Sequence, residues 1–96
     1  MDQAFINTLD ALRDAAGIPL VLNSAYRSPA WDRAQGRTGT GAHTKGKAVD
    51  IRCNASATRL KIVRAAISLG IRRIGVAGSF VHIDTDITLP EGIWTY

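Results

Sequence analysis

The chain has 96 residues, of which 46% are apolar, so we expect one small globular domain that buries about 60–70% of the surface its unfolded form exposes. Twelve basic and eight acidic residues give a net charge of +4, but the aromatic residues do not interleave with the basic ones, which argues against a nucleic-acid stacking platform. No apolar run approaches the ~20 residues of a membrane span.

Residues 3–16 have the apolar spacing of an amphipathic helix, with Asp2 as the predicted N-cap and Gly17 as the predicted end. This N-terminal segment lacks the pattern of a secretory signal. If the protein acts outside the cytoplasm, we expect that something else carries it there or that the chain is a fragment.

The rest of the chain predicts a strand at 18–27, a glycine-rich loop at 28–46, a strand at 47–53 and a helix at 54–70. We expect the helix to pack through Leu60, Val63 and Ile67 and to be capped by Asn54 or Ser56. Two further strands meet at a Gly-Ser turn at 78–79, and the tail after residue 88 is predicted to be a loop. This order predicts an α+β fold, with helices on one face of a small, mostly antiparallel sheet. We expect a single domain over residues 1–96.

The only cysteine, Cys53, excludes an internal disulfide and a thiolate zinc cluster. We expect it to be a small buried apolar residue near a strand end.

Strand periodicity sorts the polar residues of two strands onto one face. In "KAVDIR", Val49 and Ile51 suit the core, which turns Asp50 to the other side. In "FVHIDTD", His82 and Asp84 share a face by the same rule. A lone histidine or a "VDI" strand is more often structural, but the loop glycines let His43 fold back, so a His2Asp zinc site follows if the two strands are neighbours.

Three segments resemble the zinc D-Ala-D-Ala peptidase family of bacterial and phage cell-wall enzymes, which shares its fold with the hedgehog signalling domain. They are "SAYRSP", "GAHTKGKAVDI" and "FVHIDT" with a later Trp, and the resemblance covers roughly residues 18–96. It implies that His43, Asp50 and His82 are the zinc ligands.

The resemblance also implies that Arg27 lies near the substrate, because a guanidinium offers a planar fork to a carboxylate or an oxyanion. The structural alternative for Arg27 is a pair with Asp32. Trp94 is similar in place to a family tryptophan that we expect to be a pocket wall or a packing anchor.

Two positions depart from the family pattern. Gly41 stands where many relatives have Ser, and Ser79 stands where several branches carry an acidic general base. We therefore expect the base to be Asp84, whose alternative role is to hold the His82 ring, with Asp86 and Glu91 as further candidates.

The resemblance implies a zinc-dependent peptidase that cleaves peptidoglycan stem peptides, as a D-Ala-D-Ala carboxypeptidase or as a cell-wall endopeptidase of the endolysin type. The alternative is a catalytically inactive, zinc-stabilised cell-wall binding module. We expect Zn²⁺ as the cofactor and a monomeric protein. We expect it to act on the cell wall, and the sequence leaves open whether it comes from a bacterium or a phage. Neither nucleic acid nor a membrane is expected as a partner.

Overall fold

The computed structural model describes residues 2–24 and 46–96, which form two helices and five strands. The elements are α1 (Gln3–Ala16), β1 (Leu22–Ser24), β2 (Ala48–Arg52), α2 (Ser56–Ser68), β3 (Arg73–Val76), β4 (Phe80–Asp84) and β5 (Gly92–Thr95). This arrangement confirms the predicted α+β fold. Neither helix in the described part of the chain is long or apolar enough to cross a bilayer.

Helix α1 has the bounds and the ends that the sequence predicts. The carboxylate of Asp2 accepts a hydrogen bond from the Ala4 amide at 2.9 Å, which satisfies one of the amides left open in the first turn. Gly17 follows the helix with a φ of 69°, in the left-handed region that glycine adopts without a Cβ penalty.

The strands form one sheet in the order β1-β2-β4-β3-β5. All neighbouring pairs are antiparallel except β3 and β5, which are parallel. The chain therefore passes from β4 to the far side of β3 before it forms β5. In β2 and β4, Asp50 lies opposite His82 and Ala48 lies opposite Asp84.

The hydrophobic core lies between the two helices and one face of the sheet. Alternate residues of β2 and β4 supply the sheet side, and each fully buried apolar side chain of this size contributes roughly 1.5–3 kcal/mol. The core contains Phe5, Leu12, Val49, Ile51, Cys53, Ile62, Ala65, Ala66, Ile71, Ile74, Val81 and Ile83. The predicted burial of Val49, Ile51 and Cys53 is thereby confirmed, and the opposite face of the sheet is left to polar and aromatic side chains.

Helix α2 packs through a face that matches the predicted one only at Val63, which is partly buried against the core. Leu60 and Ile67 are each 56% exposed, whereas Ile62, Ala65 and Ala66 are buried. The small alanine side chains let α2 lie close to the rest of the core, so the larger residues are not needed there. The N-cap position is Ala55, without a side-chain cap, so the predicted caps at 54 and 56 were wrong.

Two strand predictions also differ from the structure. The tail forms β5 at Gly92–Thr95 instead of a loop, as an edge strand whose residues are mostly exposed and therefore show no apolar alternation. The first strand begins at Leu22 instead of residue 18, and the predicted residues 25–27 lie outside the described part of the chain.

Candidate active site

A row of four residues crosses the sheet on the face away from the helices. The register places Asp50, His82, Gly75 and Trp94 next to one another on β2, β4, β3 and β5. Directly paired residues on one face of a sheet are close enough for their side chains to interact. The row therefore brings a carboxylate, an imidazole and an indole together from positions far apart in the chain.

The imidazole of His82 lies between two carboxylates. Its Nδ1 is 2.9 Å from Asp50 Oδ1, and its Nε2 is 2.7 Å from Asp84 Oδ2. The His82 side chain is 8% exposed and that of Asp50 is 18% exposed, whereas Asp84 is fully buried. Asp50 thus lies on the accessible side of the ring and Asp84 on the buried side.

These contacts change the proton affinity of His82. Burial lowers its pKa, but the hydrogen bonds to Asp50 and Asp84 and the negative charges of both carboxylates raise it. The net result is a pKa above the ordinary value for histidine. The protonated ring, which can donate an N–H to each carboxylate, is therefore more stable here than in a free histidine.

The buried carboxylate of Asp84 has a partner on each oxygen. Oδ2 contacts His82, while Oδ1 accepts hydrogen bonds from Arg73 Nε at 2.7 Å and from the Asp86 amide at 3.2 Å. The guanidinium of Arg73 places a positive charge beside this buried carboxylate, which offsets the cost of removing the carboxylate from water. This arrangement fixes the carboxylate against the His82 ring.

The indole of Trp94 forms one wall of this face. Its ring centre lies 5.5 Å from that of His82, and the guanidinium carbon of Arg73 lies 4.8 Å from the Trp94 ring centre. Gly75, between His82 and Trp94 in the row, leaves the space for the indole: a Cβ there would lie 2.6 Å from Trp94 Nε1. The prediction that Trp94 is a wall or an anchor is consistent with these contacts.

The donors at the accessible side of His82 fit a zinc ion. Nδ1 of His82 and a carboxylate oxygen of Asp50 are ligand types that zinc takes, and Nε2 is held by a second carboxylate, as is usual for a metal-binding histidine. Within residues 2–24 and 46–96, no group of three His, Cys, Asp or Glu side chains is arranged to hold a metal. The predicted third ligand, His43, lies outside these residues, as does Arg27.

The two other candidates for the general base lie beyond Asp84 in the chain. Asp86 is buried, and its Oδ1 accepts hydrogen bonds from the Thr88 amide at 2.9 Å and from the Thr88 hydroxyl at 2.6 Å. Glu91 pairs with Arg72 at 2.9 Å, and both side chains are well exposed. Asp86 is thus hydrogen-bonded within the turn that follows it, and Glu91 is paired at the exposed surface.

The sequence reasoning did not single out Arg73 or Gly75. Both lie in "RRIG", where the apolar Ile74 faces the core. The rule of alternation that placed Asp50 and His82 would have placed these two residues on the same polar face. The partner strand of β3 was the missing information, because only the sheet order brings Arg73 beside Asp84.

Together these features define a small α+β domain with an imidazole–carboxylate site on the open face of its sheet. A sequence model of the Peptidase M15 family matches residues 2–84. The chain therefore belongs to the Peptidase M15 family, and its class is that of a peptidase, as the resemblance implied. Comparison with curated proteins and with solved structures gives no match.

Proposed function

We propose that the chain is a zinc-dependent peptidase that hydrolyses peptide bonds in peptidoglycan stem peptides. The observation that carries this proposal is the direct pairing of Asp50 and His82 on the open face, with the second nitrogen of His82 held by the buried Asp84. Family membership supports the peptidase class, and the resemblance in "GAHTKGKAVDI" supports His43 as the third ligand.

In this proposal His43, Asp50 and His82 hold the zinc ion. When bound, zinc acts as a Lewis acid on the scissile carbonyl and lowers the pKa of a water molecule towards about 7. For His82 to bind through Nδ1, that nitrogen has to be without its proton, so the remaining proton stays on Nε2, which donates a hydrogen bond to Asp84. The buried carboxylate thus sets the ring tautomer that metal binding requires.

The substrate side of the site is assigned to Arg27 and Trp94. Arg27 is proposed to bind a carboxylate of the peptide or the developing oxyanion, because its fork of N–H donors matches either group. Trp94 is proposed to line the site beside His82, where its ring already lies. An apolar wall there excludes water from one side of the reacting bond.

The contacts of Asp84 favour its orienting role over its role as general base. A fully buried carboxylate that is bonded to His82 and Arg73 would have to lose a partner before it took a proton from water. The variant Asp84→Asn separates the two roles. If Asp84 is the base, kcat falls and zinc affinity stays unchanged; if it orients His82, zinc affinity falls as well.

The test of the function is mass spectrometry of the products released from purified peptidoglycan. We expect the zinc-loaded protein to release cleaved stem peptides and His82→Ala to release none, with the exposed-residue variant Asp10→Asn as the matched control. The masses identify the bond and separate a carboxypeptidase from an endopeptidase. Binding without release by wild-type protein, on several peptidoglycan types, would favour the zinc-stabilised binding module instead.

A further inference from the structure

Arg73 connects the two sides of the site through three different contacts. Its Nε donates to Asp84 Oδ1 at 2.7 Å, its Nη1 donates to the Pro90 carbonyl, and its guanidinium lies over the Trp94 ring. The side chain is only 16% exposed. This cation is therefore built into the open face of the sheet and is not a solvated surface charge.

The sheet order explains why one residue can make all three contacts. Arg73 lies directly opposite Asp84 on β4 and directly opposite Gly92 on β5. Pro90 and Trp94 lie two residues before and after Gly92. The parallel pairing of β3 with β5 thus brings the indole to the same guanidinium that holds the carboxylate.

A chain of contacts leads from Arg73 to the zinc-ligand side of His82. Arg73 holds one oxygen of Asp84, the other oxygen of Asp84 holds His82 Nε2, and His82 Nδ1 faces Asp50. The indole held by Arg73 lies against the same imidazole. Two of the groups that contact the His82 ring, Asp84 and Trp94, are therefore themselves in contact with Arg73.

We propose that Arg73 is a positioning residue that fixes the His82 ring for metal binding, through Asp84 on one side and Trp94 on the other. The metal part of this inference rests on the proposed function. The geometric part concerns the metal-free protein and does not depend on catalysis. Arg73 is proposed to act through Asp84 and Trp94, and no contact with the substrate is assigned to it.

The neighbouring Arg72 provides a matched control. It is the same residue type on the adjacent position, but it pairs with Glu91 at the surface, where its side chain is 73% exposed. Surface ion pairs of this kind contribute little to stability. Loss of Arg72 removes the same charge from the protein without a change at Asp84.

The test compares Arg73→Met, Arg73→Lys and Arg72→Met with the wild-type chain. Methionine keeps much of the stem but removes the charge and the donors, whereas lysine keeps the charge without the planar fork. Zinc affinity is measured by competition with a chelator. In the metal-free proteins, at a pH above the pKa of His82 where the ring is neutral, its ¹⁵N signals report the tautomer, and cross-relaxation reports its contact with the Trp94 ring.

We expect Arg73→Met to weaken zinc binding about 10–100-fold, Arg73→Lys to recover part of this loss, and Arg72→Met to stay within about twofold of wild type. The ¹⁵N signals of the His82 ring and its contact with Trp94 should change most in Arg73→Met, less in Arg73→Lys and least in Arg72→Met. If Arg73→Met does not fold, Arg73→Lys decides the question by the same measurements.

Unchanged ring signals in folded Arg73 variants, or an equal effect of Arg72→Met, would overturn the proposal. A wild-type protein that binds no zinc would instead refute the proposed function, and the ring measurements would still decide the role of Arg73.

Discussion

His82 is the residue whose contacts decide how the site binds a proton or a metal ion. Two carboxylates flank its ring at hydrogen-bond distance, and the one on the buried side is paired with Arg73. The same imidazole can therefore bind a proton in the metal-free protein or a metal ion in the loaded one. Proton and metal compete for Nδ1, so zinc affinity should rise with pH across the range in which His82 loses its proton.

The raised pKa of His82 predicts how the metal-free protein responds to pH. The folded protein binds this proton more tightly than the unfolded chain, where the pKa of histidine is about 6.5. The resulting stability is present below about pH 6.5 and is lost as pH rises through the pKa of the folded protein. Urea unfolding in the presence of a chelator, from about pH 6 to about pH 9, measures this loss.

The variant His82→Gln is the control for the pH prediction, because it keeps a polar side chain without a titration in this range. Its free energy of unfolding should vary less with pH than that of the wild type. Equal pH dependence in the two proteins would show that another group, such as His43, is responsible.

At the scale of the elements, β3 is the strand that organises the open face, although it supplies none of the three proposed metal ligands. Its Arg73 holds Asp84, and its Gly75 leaves room for the indole between β4 and β5. A glycine inside a strand is usually unfavourable, and here close packing of aromatic rings over the backbone explains it. The rings of Trp94 and Tyr96 can then come close to the backbone of β3.

Gly75→Ala should therefore disturb the site and lower stability. The added Cβ would lie 2.6 Å from Trp94 Nε1 and 2.7 Å from Tyr96 Cε1, so both rings have to move. Overpacking of this kind costs about 1–3 kcal/mol, and we expect weaker contact between Trp94 and His82 as well. Urea unfolding and the cross-relaxation between the two rings measure these effects.

Gly78→Ala is the matched control in the turn between β3 and β4. A Cβ at Gly78 meets no atom within 4 Å, so the free energy of unfolding should change by less than about 0.5 kcal/mol. Similar destabilisation by both alanines would mean that the loss of glycine flexibility, and not the contact with the rings, explains the Gly75 result.

The elements that could be predicted from the sequence are those with strong local signals. Helix α1 has a capping aspartate and a terminal glycine, and the polar face of β2 and β4 follows from alternation around Val49 and Val81. The packed face of α2 and the strand β5 could not be predicted in this way. Both depend on which neighbour covers them, and this is decided by the fold as a whole.

At the scale of the whole molecule, a bound metal should contribute a large part of the stability. A domain of 96 residues has a small core, and a ligand at 100 times its dissociation constant adds about 2.7 kcal/mol. For a domain of this size, each kcal/mol corresponds to a shift in Tm of about 4–8 °C. We therefore expect zinc to raise Tm by roughly 10–20 °C under these conditions.

Thermal unfolding of wild type and Asp50→Ala, each with zinc and with a chelator, checks this expectation. The variant should keep its fold but lose most of the zinc-dependent shift, because one proposed ligand is missing. An undiminished shift in Asp50→Ala would place the stabilising ion elsewhere in the protein.

The candidate site was predicted in part because its residues lie on strands with a regular period. The shared face of Asp50 and His82 could be predicted from "KAVDIR" and "FVHIDTD", and the register confirms that these residues are direct neighbours. Arg73 was missed because its role depends on the order of strands in the sheet, which no local pattern specifies. The ligand set with His43 stays a prediction that the zinc measurements test.

The strict alternation in β2 and β4 separates what holds the protein together from what it can act on. Odd-numbered positions from 49 to 51 and from 81 to 83 face the core, and the even-numbered positions beside them face the open side. Laboratory selection for a new specificity can therefore randomise residues of the open face, such as Trp94, while every core position is kept. Such a library should also keep the buried residues of the open face, Ala48 and Asp84, and most of its members should then still fold.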